Sequence, residues 1–256
     1  MHMGLEAKAV IVTGAANGIG AAIARLLAQE GVGGLVLVDQ DGDGLRQVAQ
    51  DLAAEVEIVT ADLTETAAPA AVVTAAHARF GRIDGLVNAA GLTTRGSVAT
   101  GSSEVWDQLF AINARAAFFL MQAAIGDMRG RVAAGSIVNI LSMHAHCGGP
   151  DLGIYAGTKG ALATLTRNSA HAHMADHIRV NGINLGWVAT ESERRMQSEV
   201  LGHGPGWLAA AEAAMPLGRL VTAEDCARLA VFLLGDASVP MSGAIIDLEQ
   251  KVLGAL

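Results

Sequence analysis

A tyrosine and a lysine form the most suggestive pair in this sequence. Tyr155 is the single tyrosine of the 256-residue chain, and Lys159 follows it four positions later, which puts both side chains on one face of a helix. A tyrosine must lose about three units from its ordinary pKa of about 10 to act as a base near pH 7. One cation at about 4 Å supplies about 4 kcal/mol at an effective dielectric of 20, so Lys159 together with a positively charged cofactor ring would be enough. The pair is typical of proton transfer; the alternative is a tyrosine packed beside a surface lysine.

Polar residues just upstream indicate where a substrate would bind. Ser142 follows an apolar run at 136–141 and could hold a reacting oxygen beside the phenol, although a serine at such a place is commonly only a cap. His144 and His146 come next, so by connectivity we expect them near the mouth of the pocket, in reach of substrate hydroxyls. The alternative for both is a loop histidine that faces water.

A glycine-rich turn near the N-terminus lies between an apolar run and a helical pattern. Residues 13–20 are Thr-Gly-Ala-Ala-Asn-Gly-Ile-Gly. Glycines at a strand-to-helix turn let the backbone approach a pyrophosphate, which the N–H groups of the helix N-terminus then bind. The spacing is not that of the standard dinucleotide fingerprint, so a plain tight turn is the alternative.

An acidic residue after the second apolar run supports the nucleotide interpretation. Asp39 follows the run at 35–38, where a carboxylate can accept hydrogen bonds from the adenosine ribose hydroxyls. It would repel a 2′-phosphate at about 5 Å by several kcal/mol, and the glycine-rich turn has no Lys or Arg to offset this repulsion. The sequence therefore predicts NAD rather than NADP as the cofactor. The alternative is that Asp39 is a solvated loop carboxylate.

The elements that must position these residues are seven short apolar runs, which alternate with segments of helical spacing. Most runs are apolar throughout, as in parallel strands covered on both faces. The pattern predicts an α/β fold, a Rossmann-like doubly wound seven-stranded parallel sheet with helices on both faces, and residues 1–256 as a single domain. Strands are predicted at 9–13, 35–38, 57–60, 85–88, 136–141, 179–184 and 244–247, and helices at 19–30, 70–80, 105–129, 157–174 and 223–234.

One segment, residues 190–218, breaks the alternation. It is charged at its start and then interrupted by Gly-His-Gly-Pro-Gly at 202–206. Because ligands bind beyond the carboxyl ends of the strands in such sheets, a segment emerging there is a candidate substrate lid. The alternative is an ordinary surface excursion.

Composition disfavours several other functions. A net charge of −8 with scattered basic residues is unlike a nucleic-acid-binding surface. Two cysteines form neither a disulfide framework nor a four-thiolate metal site, and we predict no metal. Polar residues interrupt each apolar stretch before about 18 residues, and residues 1–8 do not resemble a secretory signal. We expect a cytoplasmic protein without membrane contact.

Taken together, these motifs resemble those of the short-chain dehydrogenase/reductase family over essentially the whole chain. Residues 13–20 resemble its T-G-x-x-x-G-x-G loop, and residues 88–91 its N-x-A-G strand end. Four residues have the order and spacing of its catalytic tetrad: Asn113, Ser142, Tyr155 and Lys159. The resemblance implies cofactor contacts by Gly14, Asn17, Gly18, Ile19, Gly20, Asp39, Asp62, Leu63, Asn88, Ala89, Gly91, Tyr155, Lys159, Gly186, Val188 and Thr190.

The resemblance also implies a role for each tetrad residue. Tyr155 exchanges a proton with the substrate oxygen while hydride passes between the substrate carbon and the nicotinamide. Lys159 binds the nicotinamide ribose and lowers the tyrosine pKa, Ser142 orients the reacting oxygen, and Asn113 holds a water that links Lys159 to solvent.

The chain departs from the family pattern at two places. Leu185 stands where a proline usually precedes Gly186, and residues 248–250 replace the usual C-terminal glycines. These departures affect the outer pocket and the subunit contacts rather than the chemistry.

We therefore expect an NAD-dependent enzyme that interconverts a small-molecule secondary alcohol and its carbonyl. The tentative substrate contacts are Ser142, His144, His146, Tyr155 and Glu191, and polar residues around the crevice suggest a sugar or polyol hydroxyl. Two alternatives are a ketoacyl- or ketosteroid-type carbonyl reductase and a non-catalytic nicotinamide-binding sensor. The resemblance further implies a homo-oligomer, a tetramer, which agrees with a charged fraction of only 16%.

Overall fold

A computed structural model describes residues 3–253, so the ends of the predicted domain, residues 1–2 and 254–256, lie outside the described residues. Within residues 3–253, seven strands run parallel in one sheet: β1 (Ala9–Thr13), β2 (Gly34–Asp39), β3 (Val56–Thr60), β4 (Gly85–Asn88), β5 (Gly135–Ile140), β6 (Ile178–Leu185) and β7 (Ile245–Leu248). Their order is β3-β2-β1-β4-β5-β6-β7. The predicted fold class is confirmed, and each predicted strand is present with its ends shifted by no more than one residue.

The strand order reverses between β1 and β4, which lie side by side at the centre of the sheet. The connections after these two strands leave the sheet in opposite directions, so a crevice opens beyond their carboxyl ends. Thr13 joins the two strand ends, because its hydroxyl oxygen accepts hydrogen bonds from the N–H groups of Ala89 (3.0 Å) and Ala90 (3.1 Å).

Helices cover both faces of the sheet. They are α1 (Gly18–Gln29), α2 (Gly42–Gln50), α3 (Ala68–Phe80), α4 (Ser103–Phe110), α5 (Ala116–Gly130), α6 (Gly153–His173), α7 (Glu191–Arg195), α8 (Trp207–Ala213) and α9 (Ala223–Leu234). Helices α1, α2 and α9 pack in one apolar core, and α3, α5 and α6 in a second core on the opposite face. The five predicted helices are present, and α2, α7 and α8 are additional.

A turn of π-helix at Ala111–Arg115 joins α4 and α5 into one long helical stretch. Ser103–Gly130 is long and apolar enough, by length and composition, to cross a membrane. In its most apolar window, 56% of the residues are buried inside the protein. Leu120, Met121 and Ala124 belong to the second core, so this stretch has the burial of a core helix.

An ion-pair network lies at the amino ends of the central strands, opposite the crevice. The buried carboxylate of Asp84 accepts a hydrogen bond from the N–H of Ala9 (3.0 Å) and pairs with Arg82 (2.7 Å). Arg131 pairs with Asp127 (2.8 Å), and Asp127 in turn accepts from the N–H of Ile83 (3.0 Å). The network ties β1 and β4 to α5.

Candidate active site

The four predicted tetrad residues are buried together at the carboxyl ends of β4 and β5. Ser142 follows β5, Tyr155 and Lys159 lie in the first two turns of α6, and Asn113 lies in the π-turn between α4 and α5. Each side chain has 8% or less of its surface exposed. Ser142 hydrogen-bonds with the Tyr155 hydroxyl, and the Lys159 Nζ lies 5.9 Å from the centroid of the Tyr155 ring.

Lys159 is a buried residue of α6 whose ammonium group reaches the end of β5. Its Nζ donates a hydrogen bond to the backbone carbonyl of Ile140 at 2.8 Å. Removal from water disfavours the charged form, and burial therefore lowers the pKa of Lys159 to about 8.

Tyr155 is enclosed, and burial is the largest influence on its acidity. Burial raises the pKa of Tyr155 above its ordinary value; the hydrogen bond from Ser142 lowers that pKa, the charge of Glu193 raises it, and the charge of Arg95 lowers it. The expected depression concerns Lys159 together with an oxidised nicotinamide ring, and it stays a prediction for the cofactor-bound protein.

Asn113 is held by the backbone of the loop after β4. Its Oδ1 accepts from the N–H of Leu92 and its Nδ2 donates to the carbonyl of the same residue, both at 2.9 Å. Nδ2 also lies 3.1 Å from the Thr158 hydroxyl. A Cβ at position 91 would lie 3.0 Å from Oδ1 of Asn113 and 3.6 Å from Nζ of Lys159, so Gly91 lets these two side chains approach each other. The water that the resemblance places between Asn113 and Lys159 stays a prediction.

The glycine-rich turn forms a cradle that suits a dinucleotide. Gly14 and Gly18 have φ values of +65° and +53°, which favour glycine. A Cβ at position 20 would overlap the carbonyl oxygen of Gly14, and the Thr190 methyl group lies 3.4 Å from where a Cβ of Gly18 would be. The turn after β1 and the segment after β6 thus face each other across the crevice.

Two polar side chains at the cradle support the same fit. Asp39 is oriented by the turn, because its carboxylate accepts a hydrogen bond from the N–H of Ala16 at 3.2 Å. At the end of β4, the Oδ1 of Asn88 is buried without a hydrogen-bond partner, and a buried polar atom of this kind calls for a ligand or water. These residues fit a nicotinamide dinucleotide, which supplies the hydride acceptor or donor when bound.

The remaining predicted cofactor residues lie around the same edge of the sheet. Asp62 follows β3, and its carboxylate accepts from the Thr64 N–H (2.8 Å) and hydroxyl (2.7 Å), which lowers its pKa. Leu63 beside it is buried. After β6, Val188 pairs as a short bridge with Val221, and the Thr190 hydroxyl accepts from the N–H of Glu193 at 3.3 Å, capping α7.

The predicted substrate histidines point to different partners. The His144 ring lies edge-on to the Tyr155 ring at 6.0 Å, and its Nδ1 accepts from the N–H of Gly149 at 3.3 Å. His146 instead binds the carboxylate of Asp247 at 3.1 Å. Glu191 is exposed at the first position of α7. The structure thus brings His144, but not His146, against Tyr155.

The predicted lid begins with two ordered turns beside the tetrad. Within it, α7 continues into a second π-turn at Met196–Val200, and α8 follows after the Gly-Pro-Gly loop. Trp207 of α8 stacks on Trp187 at 5.7 Å between ring centroids. Lid movement remains a prediction.

Comparison with known proteins agrees with this geometry. A family model described as enoyl-(acyl carrier protein) reductase, within the short-chain dehydrogenases/reductases, matches residues 14–249. The chain belongs to the short-chain dehydrogenase/reductase family. The 2-(S)-hydroxypropyl-CoM dehydrogenase 3 of Xanthobacter autotrophicus is 33% identical over 250 residues, 96% of each chain.

Two sugar-related members of the short-chain dehydrogenase/reductase family are similarly related. Gluconate 5-dehydrogenase of Gluconobacter oxydans is 33% identical over 257 residues, 98% of this chain and 97% of that one. The crystal structure of L-sorbose reductase from Gluconobacter frateurii, complexed with NADPH and L-sorbose, superposes over the full length of both chains with a TM-score of 0.92 and 29% identity.

Some residues of this short-chain dehydrogenase/reductase site were missed from the sequence. Trp187, Gln197 and Trp207 form part of the pocket wall, and Asn184 joins His146 (3.1 Å) to Asp247 (2.7 Å). Trp187 lies one residue after the predicted contact Gly186, and this adjacency was the available signal. The positions of Gln197 and Trp207 depend on the path of the lid, and the position of Asn184 depends on the register of β6 and β7. Neither can be read from a local sequence pattern.

Proposed function

We propose that this protein is an NAD-dependent oxidoreductase that interconverts a secondary alcohol, a sugar or polyol hydroxyl, and its carbonyl by hydride transfer. The observation that supports it is the burial of Ser142, Tyr155 and Lys159 as one cluster beside a dinucleotide cradle. Burying an ammonium group next to a phenol costs free energy, and such clusters of buried titratable groups are concentrated at functional sites.

In this proposal the proton is exchanged at the Tyr155 hydroxyl oxygen. Ser142 already hydrogen-bonds with that hydroxyl, so a substrate oxygen that binds both side chains is oriented toward the proton it loses or gains. Lys159 holds a positive charge 5.9 Å from the ring centroid, and the buried surroundings exclude water and strengthen each of these interactions.

The NAD preference rests on Asp39. Its carboxylate is fixed at 3.2 Å from the Ala16 nitrogen of the glycine-rich turn, and a 2′-phosphate in this place would meet a like charge. L-Sorbose reductase was crystallised with NADPH, so the preference for NAD is proposed for this chain from Asp39 alone. We expect Asp39→Ala to lower the NAD/NADP ratio of kcat/KM by at least about tenfold, because removal of the charge is worth about 1–3 kcal/mol toward the phosphate.

The sugar or polyol class rests on the donors and acceptors around Tyr155. Because the Nδ1 of His144 accepts from Gly149 at 3.3 Å, the proton of the neutral ring is on Nε2, which is left as a donor. Arg95, paired with Asp151 at 3.0 Å, acts electrostatically on Tyr155 from another side. Two relatives are named after gluconate and L-sorbose, which are polyhydroxylated compounds, and these names support a polyhydroxylated substrate.

The test is the appearance of reduced nicotinamide absorbance with NAD or NADP over a panel of sugars, polyols and hydrophobic secondary alcohols. We expect turnover with NAD on a polyhydroxylated member, and loss of at least about 100-fold in kcat in Tyr155→Phe. A preference for NADP, or activity that survives in Tyr155→Phe, would contradict the proposal.

A second candidate is a ketoacyl- or ketosteroid-type carbonyl reductase. The description of the matching family model, a reductase of acyl-carrier-protein substrates, favours it. It predicts oxidation of NADPH by a β-ketoacyl thioester and no activity on polyols. Binding of NADH without turnover in either assay would favour the sensor alternative. A cytoplasmic location and a homotetramer stay predictions, and light scattering tests the second.

A further inference from the structure

A short 3₁₀ turn, Met143–Ala145, connects Ser142 to His146. The Ser142 hydroxyl oxygen accepts a hydrogen bond from the N–H of His144 at 3.1 Å, and the Ser142 carbonyl accepts from the N–H of Ala145 at 2.8 Å. The N–H of His146 donates to the first carbonyl of the turn at 3.1 Å. Ser142, His144 and His146 therefore belong to one hydrogen-bonded unit, and a group that holds His146 also orients the other two.

The outer end of this turn is fastened to the last two strands of the sheet by the His146 side chain. Its Nε2 lies 3.1 and 3.2 Å from the two carboxylate oxygens of Asp247 in β7, and 3.1 Å from the Nδ2 of Asn184 in β6. Asn184 is 1% exposed, pairs with Asp247 in the strand register, and donates to its carboxylate at 2.7 Å. The sheet therefore orients the Asp247 carboxylate, and His146 binds to a rigid partner.

The rest of the loop at 143–150 gives the turn less support. Ala145 packs against the second core and holds the inner side of the turn. The Nδ1 of His144 accepts from the N–H of Gly149 at 3.3 Å, but this bond lies within the loop and does not fix the loop relative to the sheet. In the part of the chain that the structure describes, His146 is the residue of this loop whose side chain bonds to neighbouring strands.

We propose that His146 is a positioning residue: its bond to Asp247 holds the turn so that Ser142 and the His144 ring stay beside Tyr155. The two rings lie 6.0 Å apart between centroids. A displacement of about 1 Å in a group that orients the substrate can cost about 100-fold in rate, so the anchor of the turn matters for turnover. The inference rests on the proposed function, since it concerns the substrate-binding turn of that same site.

The first test removes the anchor and then restores it. His146→Ala loses the bond to Asp247, whereas His146→Gln keeps a side-chain N–H that donates to the same carboxylate. We expect kcat/KM for the alcohol substrate to fall at least about tenfold in His146→Ala, and His146→Gln to recover most of this loss. The affinity for NADH should be unchanged in both variants, because the glycine-rich turn is not altered.

A matched control is present at the other end of α6. The Nδ1 of His173 pairs with Asp176 at 2.9 Å, with side chains 24% and 32% exposed, against 34% and 39% for His146 and Asp247. This pair lies just before β6 begins, at the opposite edge of the sheet from Ser142. His173→Ala should therefore leave kcat/KM unaltered.

A double-mutant cycle tests whether His146 acts through Asp247. If it does, His146→Ala combined with Asp247→Ala should lower kcat/KM no further than Asp247→Ala alone. Additive losses would show that His146 acts through another contact and would contradict the proposed anchor.

Hydrogen exchange measures the anchoring without any turnover. The N–H groups of His144, Ala145 and His146 are hydrogen-bonded within the turn, and local opening exposes such groups to solvent. His146→Ala should speed exchange across residues 143–149 at least about tenfold, equal to about 1.4 kcal/mol of opening free energy. His173→Ala should not change exchange in this segment.

The two readouts separate this inference from the proposed function. If exchange responds as expected while the wild type oxidises no alcohol, the proposed function fails and the anchoring of the turn stands. Exchange that is the same in His146→Ala and His173→Ala would overturn the inference. So would an active enzyme in which His146→Ala leaves kcat/KM at the wild-type value.

Discussion

At the scale of residues, the site is built from two groups that burial drives toward their neutral forms. Removal from water lowers the pKa of Lys159 to about 8 and raises that of Tyr155. The proposed function predicts that an oxidised cofactor, once bound, would add positive charge that lowers the pKa of Tyr155.

Lys159→Met tests the cost of the buried ammonium group. At pH 7 the shift from 10.5 to about 8 costs the folded state about 3 kcal/mol, while loss of the donor to the Ile140 carbonyl costs about 1–3 kcal/mol. We expect the free energy of unfolding to be unchanged or raised by up to about 2 kcal/mol, and kcat to fall at least about 100-fold. Denaturant titration and steady-state kinetics measure the two quantities.

The effect of Lys159→Met on the free energy of unfolding should depend on pH, because the pKa of Lys159 is lowered in the folded protein. Between pH 8 and 10.5 the unfolded chain binds more protons at Lys159 than the folded one, so wild-type stability gains with rising pH. The stability difference between Lys159→Met and the wild type should therefore shrink by about 2 kcal/mol from pH 7 to pH 9.5. A difference that is constant over this range would show that Lys159 is not shifted.

The identity of these residues could be predicted from the sequence, but their electrostatics could not. The spacing of Tyr155 and Lys159 and the position of Ser142 after an apolar run are local patterns. The direction of the tyrosine pKa depends instead on how completely the phenol is enclosed and on charges such as Glu193, which is 38 positions away in the chain.

At the scale of elements, two π-turns carry buried amide side chains into the site. Asn113 lies in the turn at Ala111–Arg115 and Gln197 in the turn at Met196–Val200, and they are 1% and 5% exposed. A π-turn adds a residue to the helix and redirects the side chains that follow, and such turns are common at functional sites. Neither turn was predicted, because the surrounding pattern continues on either side of it.

Glycines in helices allow a direct test of the cofactor turn. Gly20 in α1 has no room for a Cβ beside the Gly14 carbonyl, whereas a Cβ at Gly126 in α5 meets no atom within 4 Å. Gly20→Ala should lower the free energy of unfolding by about 3 kcal/mol or more and abolish NADH binding. Gly126→Ala is the matched control and should raise stability by about 0.5–1 kcal/mol. Thermal unfolding measures the stability of the two variants, and fluorescence titration measures their affinity for NADH. A folded Gly20→Ala variant that still binds NADH would contradict a cofactor site at the glycine-rich turn.

The elements that were predicted are those with the strongest local signals. Most strands are continuous apolar runs, and α9 begins with Thr222 and Asp225 in a reciprocal capping box. Helix α2 begins with glycines at 42 and 44, which disfavour a helix on propensity alone, and its Asp41 cap compensates by accepting from Gly44. Helices α7 and α8 are short and depend on packing within the lid.

At the scale of the whole molecule, the lid has its own small core. Trp207, Ala211 and Leu220 form an apolar cluster separate from the two large cores, so this region can move with little loss of other packing. Its first residue, Thr190, packs near Gly18 of the nucleotide cradle. Closure of the lid and occupation of the cradle should therefore be coupled.

Limited trypsin digestion tests this coupling. Arg194 and Arg195 are exposed in the lid, and we expect the first cleavage there, slowed by saturating NADH. Arg46 and Arg228 are also exposed but lie on longer helices, α2 and α9, than the five-residue α7, so they serve as internal controls and should be cut later. Equal rates at the four sites, or lid cleavage that NADH does not affect, would contradict a lid linked to the cofactor.

The ion-pair network of Asp84, Asp127 and Arg131 lies at one edge of the sheet, while the tetrad, the cradle and the lid lie at the other. Few substitutions that alter the pocket touch the residues that fasten β1 and β4 to α5. Mutations can therefore accumulate around the crevice over evolutionary time, and change which substrate is accepted, without a matching loss of the folded state. Because the ion-pair network and the candidate active site lie at opposite edges of the sheet, new substrate preferences can arise by neutral drift.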